Sequence, residues 1–219
     1  MTDLLGDLQF LFRGGFMMLP LLLAAGLALA VIIDRLRTFR RSYQTAPALL
    51  NDAFAALKAG KAGEAEALCQ RQSGPVGAVL AAGIAHLANP LGEMELAMKN
   101  EGEAWVPRLE QRVHVVDTVI TAAPLMGLLG TITGMMASFR VLGDKGVSDP
   151  GAITGGVSEA LIATATGLVI ALLCLVAYNY ITARIKEFIY EMESAGSRLV
   201  GLRLGLERSR EHADPPKTR

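Results

Sequence analysis

Charge of one sign, cysteine and histidine are all scarce in this chain of 219 residues. Lys+Arg number 21 and Asp+Glu 21, so the formal net charge is zero. A nucleic-acid binder normally carries a basic excess. Charged residues make up only 19%, below the ~25% usual for soluble domains. Disorder needs the opposite mixture, high charge with low hydrophobicity. The cysteines are Cys69 and Cys174 alone, which excludes a disulfide scaffold. The histidines are His86, His114 and His212, none in metal-ligand spacing with Cys or Glu. Gly127-Leu128-Leu129-Gly130 is not followed by the Gly-Lys-Ser/Thr of a phosphate-binding loop. A serine nucleophile elbow is lacking as well. The expectation is a protein that is not an enzyme and uses no metal or cofactor.

What is abundant is apolar surface: 52% hydrophobic residues and a mean hydropathy of +0.38. Three windows carry no charge at all. They run from Arg13 to Asp34 (20 residues between), Asp117 to Arg140 (22) and Glu159 to Arg184 (24). A helix rises ~1.5 Å per residue, so each window can cross a hydrocarbon core of about 30 Å. One such window fits inside a large soluble core, but three in so short a chain do not. The first is longer than a signal-peptide core, is preceded by Asp3, Asp7 and a single Arg13, and is followed by basic residues, so it reads as a retained anchor.

Arg35, Arg37, Arg40 and Arg41 follow the first window and place that flank in the cytoplasm by the positive-inside rule. The loop after the second window keeps only Arg140 and Lys145, and the tail after the third carries Arg184, Lys186, Arg198, Arg203, Arg208 and Arg210. The expected topology is N-terminus outside, C-terminus inside. Cys69 then lies in the reducing cytosol and Cys174 in the bilayer, so no disulfide is expected.

The expected fold is an all-α membrane protein with three transmembrane helices and long cytoplasmic helical extensions. Its parts are an amphipathic outer segment at 1–13 and a first span at 14–33. A cytoplasmic helical region fills 34–112, and the second span is 113–139. An outer loop covers 140–158, the third span is 159–183, and a cytoplasmic helix and tail fill 184–219. Breaks at Gly60, Gly63, Gly74-Pro75, Asn89-Pro90 and Pro107 predict helices at about 44–59, 62–72, 76–88 and 91–112. The last is expected to run into the second span as one helix kinked at Pro107.

Pro124, Gly127, Thr131, Gly134 and Ser138 recur at steps of three, four or seven, with Gly130-x-x-x-Gly134 beside them. Small residues let helices approach closely in lipid, and hydroxyls bridge them. A pore face has the same composition, so packing and pore remain two readings of Thr131. Glu159 opens the third span and is followed by Thr164, Thr166 and Gly167. A carboxylate at the membrane edge is costly unless wetted or paired, though a solvated helix N-terminus also favours an acid. At ~100° per residue, Thr166 falls about 20° from Glu159 and Thr164 about 140°. Either Glu159 precedes the regular helix, or these side chains do not all meet one cavity. None of the spans carries Asp, Glu, His, Lys or Arg near its middle, so a proton relay there must come from a partner, or a water wire must suffice.

Ala123-Pro124-Leu125-Met126-Gly127-Leu128-Leu129-Gly130-Thr131-Ile132-Thr133-Gly134-Met135 resembles the second-span signature of the MotA/TolQ/ExbB proton-channel family. Ser158-Glu159-Ala160-Leu161-Ile162-Ala163-Thr164-Ala165-Thr166-Gly167-Leu168 resembles its third-span signature, and Ala177-Tyr178-Asn179-Tyr180 the end of that span. Three spans with the N-terminus outside resemble the ExbB and TolQ branch; MotA proteins have four. The likeness covers roughly 14–40 and 105–200. It implies a homo-pentamer around a central apolar pore in the bacterial inner membrane. Inside it would sit an ExbD/TolR-like single-span partner carrying an intramembrane aspartate, with a TonB/TolA-like relay protein beyond. The pore residues it implies are Thr131, Thr164 and Glu159. Pro124, Gly127, Gly130, Gly134, Thr166 and Gly167 would serve pore or helix packing. The implied function is conversion of proton motive force into work at the outer membrane, for example TonB-dependent transport. The alternatives are a TolQ-type envelope or gliding motor and a passive scaffold for a single-span partner. Many relatives have a proline after the third-span apolar run, where this chain has Leu172-Leu173-Cys174; a straighter helix is expected.

Overall fold

The computed structural model describes residues 15–43, 46–71, 74–145 and 150–213. Seven helices occupy them: α1 (Met18–Tyr43), α2 (Ala46–Lys58), α3 (Ala62–Arg71), α4 (Pro75–Ala85), α5 (Leu91–Glu110), α6 (Val113–Lys145) and α7 (Pro150–Ala213). The described residues contain no strand. The amphipathic segment expected over 1–13 lies outside them. Proline marks the starts: Pro20, Pro47, Pro75 and Pro150 fall in first turns, and Pro90 immediately precedes α5. Its fixed φ suits that position and its missing N–H has no intrahelical partner there anyway.

Three helices, α1, α6 and α7, are long and apolar enough to cross a membrane. The chain is therefore an all-helical multi-pass membrane protein. The 64 residues of α7 rise about 96 Å, roughly three times a hydrocarbon core, so only part of that helix can be a span.

Two compact units divide the chain: Met1–Arg35 with Arg112–Ile181, and Leu36–Gln111 with Thr182–Arg219. The first holds the uncharged windows. Its core is built from Met18, Leu21 and Ala28 of α1, Val116, Val119 and Ala123 of α6, and Ala163, Ala171 and Cys174 of α7. In the second, α2 to α5 pack each against the next. Phe39 and Phe188 meet ring to ring at 5.6 Å. The Arg198 guanidinium lies 5.0 Å from the Phe54 ring centre. Arg203 fastens the start of α5, donating to the Asn89 carbonyl and to Met94 Sδ.

Two local expectations need correction. First, α5 does not run on into the second span. It ends at Glu110, and α6 begins at Val113. Between them Arg112 takes φ 63°, a left-handed conformation that stops a right-handed helix. Pro107 sits inside α5, three residues before its end. Second, most of the segment expected as a loop is helical: α6 reaches Lys145 and α7 starts at Pro150. Glu159 is thus more than two turns inside α7, not at its N-terminus. Past Leu172-Leu173-Cys174 α7 continues without a break.

Candidate functional site

The α6 and α7 helices meet along a seam of small residues. A Cβ placed on Gly167 would stand 2.5 Å from the Ala123 carbonyl oxygen, and one on Gly127 3.0 Å from the Thr164 α-carbon. One on Gly130 would stand 2.7 Å from the Ala163 β-carbon. At Gly134 it would come within 3.0 Å of both the Ala160 β-carbon and the Gly156 carbonyl oxygen. The pairs run 123–167, 127–164, 130–163 and 134–160, so the helices are antiparallel in fixed register. Close approach in lipid gains dispersion contact where no hydrophobic drive exists. Gly127, Gly130, Gly134 and Gly167 all lie in this seam. Ser138 and Gly156 extend it beyond the residues the sequence singled out: a Cβ on Gly156 would collide with Ser138 Oγ at 2.1 Å.

The hydroxyls divide into two kinds. Thr131 donates to the Leu128 carbonyl at 2.6 Å, Thr166 to Ile162 at 2.8 Å and Ser138 to Gly134 at 3.1 Å. These bonds stay within one helix, at i−3 or i−4, where a threonine or serine satisfies itself in an apolar setting. Thr164 behaves otherwise. Its hydroxyl crosses to α6 and donates to the Gly127 carbonyl at 2.8 Å. Thr164 and Thr166 therefore serve different faces, as the angular spacing requires. Pro124 sits inside α6 at intermediate exposure.

Glu159 lies beside α1. A Cβ on Gly15 would fall 1.7 Å from Glu159 Oε1, 2.7 Å from Cδ and 3.1 Å from Cγ. The carboxyl group therefore rests on the bare α-carbon of Gly15, where the chain turns into α1: the Met18 N–H bonds the Gly15 carbonyl at 3.0 Å. An acidic side chain beside the first turn of a helix is a placement that the macrodipole favours. Gly15 was not singled out by the sequence. Its signal was the Gly14-Gly15 pair that opens the first uncharged window, which reads equally as a simple turn.

Outside the seam, α6 and α7 expose large apolar side chains: Leu125, Leu128, Met136 and Phe139 on one, and Leu161, Leu168, Leu172 and Val176 on the other. Among the described residues, no cluster of three His, Cys, Asp or Glu is placed to hold a metal ion.

The model of the MotA/TolQ/ExbB proton channel family matches residues 71–194. The chain belongs to that family. The match includes α6 and the first two-thirds of α7, and with them the whole seam. The putative biopolymer transport protein ExbB-like 3 of Synechocystis is 31% identical over 186 residues, 84% of this chain and 89% of that one. The ExbB of Aquifex aeolicus is 35% identical over 86 residues, 39% of this chain and 58% of its own length. The TolQ of Haemophilus influenzae is 39% identical over 92 residues, 42% of this chain and 39% of its own. In this family member, the residues that carry both span signatures are the residues that form the α6–α7 seam and its edge at Glu159.

Proposed function

We propose that the protein is the channel subunit of an inner-membrane motor of the ExbB–ExbD or TolQ–TolR kind. Several copies, five by the family resemblance, surround a central apolar pore, with the N-terminus periplasmic and the C-terminus cytoplasmic. An ExbD/TolR-like single-span partner stands in the pore and supplies the intramembrane aspartate that this chain lacks. Proton motive force moves one component against the other, and a TonB/TolA-like protein passes the work outward. In this reading Glu159 borders the outer entrance and Thr131 faces the pathway. Thr164 holds α6 and α7 together as one wall element.

One observation carries the proposal. The two helices that bear the family signatures pack closely along the seam, yet they expose large apolar side chains, with no Asp, Glu, His, Lys or Arg between Asp117 and Arg140 or between Glu159 and Arg184. Exposed apolar surface of that extent calls for lipid, further copies or a partner helix, and a proton route through it calls for a carboxylate from elsewhere. The ExbB side of the family is supported by an ExbB-like relative whose match spans 84% of this chain.

The test is reconstitution of the complex with its single-span partner and measurement of energised work. Glu159→Ala is expected to abolish that work while the complex still assembles. An uncoupler is expected to do the same to the wild type. Work that persists with the uncoupler present identifies a passive scaffold instead.

A further inference from the structure

The Glu159 carboxyl occupies the space that any side chain at position 15 would need. Three of its atoms lie within 3.1 Å of where a Cβ on Gly15 would stand. One bond length of ~1.5 Å separates that point from the α-carbon, so Oε1 is in contact with the Gly15 backbone. Gly15 also has φ +74°, a left-handed conformation that glycine adopts without steric cost. The two facts act together. The left-handed turn leads the chain into α1 with the Gly15 α-carbon against the Glu159 carboxyl, and the missing side chain leaves the carboxyl a seat.

We propose that Gly15 is the positioning residue of Glu159: the turn into α1 fixes where this carboxyl stands at the edge of the α6–α7 pair. The inference rests on the pathway role proposed for Glu159, but its geometry is independent of that role. Glu159 has two supports, the α7 helix that carries it and the glycine it rests on. A β-carbon at position 15 would stand 1.7 Å from Oε1, so the carboxyl has to move by an ångström or more to restore ordinary contact. Displacement on the order of 1 Å costs a positioned group up to about a hundredfold in rate.

The experiment uses the full chain in complex with its partner. Gly15→Ala is expected to lower proton-driven flux by about a hundredfold while the complex is retained on size exclusion. Adding Glu159→Asp, a side chain one carbon shorter, is expected to return the double variant to the level of Glu159→Asp alone. A wild-type-like Gly15→Ala, or a double variant no better than Gly15→Ala, overturns the proposal. A readout that needs no flux is a cysteine pair, Gly15→Cys with Glu159→Cys, in a background with Cys69→Ala and Cys174→Ala. Glu159 Cγ stands 3.1 Å from the β-carbon position at residue 15 and the Glu159 β-carbon is one bond of ~1.5 Å further along, close to the separation of about 3.5–4.5 Å that a disulfide spans, so mild oxidation of the resting complex is expected to link them. If the pair forms no link, the positioning proposal falls even where flux is normal. If the link forms but the wild-type complex drives no flux, the pathway role fails and the seat stands.

Discussion

The Thr164 hydroxyl donates to the Gly127 carbonyl oxygen over 2.8 Å, and that bond ties α7 to α6 where Gly127 leaves no side chain between them. A carbonyl has two lone pairs, so Gly127 can accept this bond in addition to its own helical one. Thr164→Val keeps the branched shape and deletes the donor. Interhelical hydrogen bonds in membranes average about 0.6 kcal/mol, so the variant is expected to be destabilised by roughly that amount. Thr164→Ser, which keeps the donor, is expected to unfold close to the wild type. Thermal unfolding in detergent measures both. In the proposed motor, Thr164→Val is further expected to lose energised work out of proportion to its stability, because the wall of the pathway loses its register.

Gly167 presents a harsher limit. The atom a Cβ would meet at 2.5 Å is the Ala123 carbonyl oxygen, which is backbone and cannot rotate away. Gly167→Ala is therefore expected to push α6 and α7 apart and cost about 1–3 kcal/mol through overpacking. Gly26 in α1 has nothing within 4 Å of the same position, so Gly26→Ala serves as the matched control. Comparison of the two melting temperatures decides the matter: a similar shift in both would mean that the close approach is not what Gly167 provides.

The spans are legible in the sequence because charge is so costly in lipid that its absence marks them without any contact information. The four helices of the second unit are legible to within a few residues, because Gly74-Pro75 and Asn89-Pro90 are strong local punctuation. The seam is legible only as an ambiguity. Small residues at helical spacing serve a pore or a neighbour equally, and only the distances at Gly127, Gly130, Gly134 and Gly167 place them against a neighbour. Two features mislead. Gly151, Gly155 and Gly156 look like a loop, but they lie inside α7, and Gly156 is needed there because Ser138 occupies the space of its side chain. The stop at Arg112 carries no glycine or asparagine to announce it. Gly15 is invisible because its partner is 144 positions away.

Cys69 lies in the second unit, 1% exposed, with its thiol pushed up to about 11 by burial and, after that, by the negative charge of Glu66. Only the thiolate is nucleophilic, and at pH 7 it is present at roughly one part in ten thousand. Native protein at neutral pH is expected to leave Cys69 unlabelled by a maleimide, with reaction appearing as the second unit unfolds. Cys174 is also free and buried, so mass spectrometry of the labelled peptides is the readout that separates the two. Prompt labelling of Cys69 in folded protein would contradict the burial.

Glu191 gives the second unit a pH dependence whose sign is fixed by geometry. It lies on α7 beyond the uncharged window, and its Oε2 is buried without a hydrogen-bond partner among the described residues. Burial raises its pKa from an ordinary 4.5, Glu187 raises it further, and Arg184 opposes both. Arg184 is itself bound to Glu187, which blunts that opposition. A carboxyl whose pKa is higher folded than unfolded favours the fold when protonated. Its contribution is therefore greatest below 4.5 and is lost as pH rises through the raised value, after which the penalty is constant. Glu191→Gln keeps the shape and removes the charge. It is expected to raise the melting temperature at neutral pH and to flatten the fall in stability that the wild type shows on leaving the acid range. Melting curves of the two proteins across that range decide it. If Glu191→Gln is less stable than wild type at neutral pH, the charged form of Glu191 has a partner that outweighs its burial, and the pH dependence runs the other way.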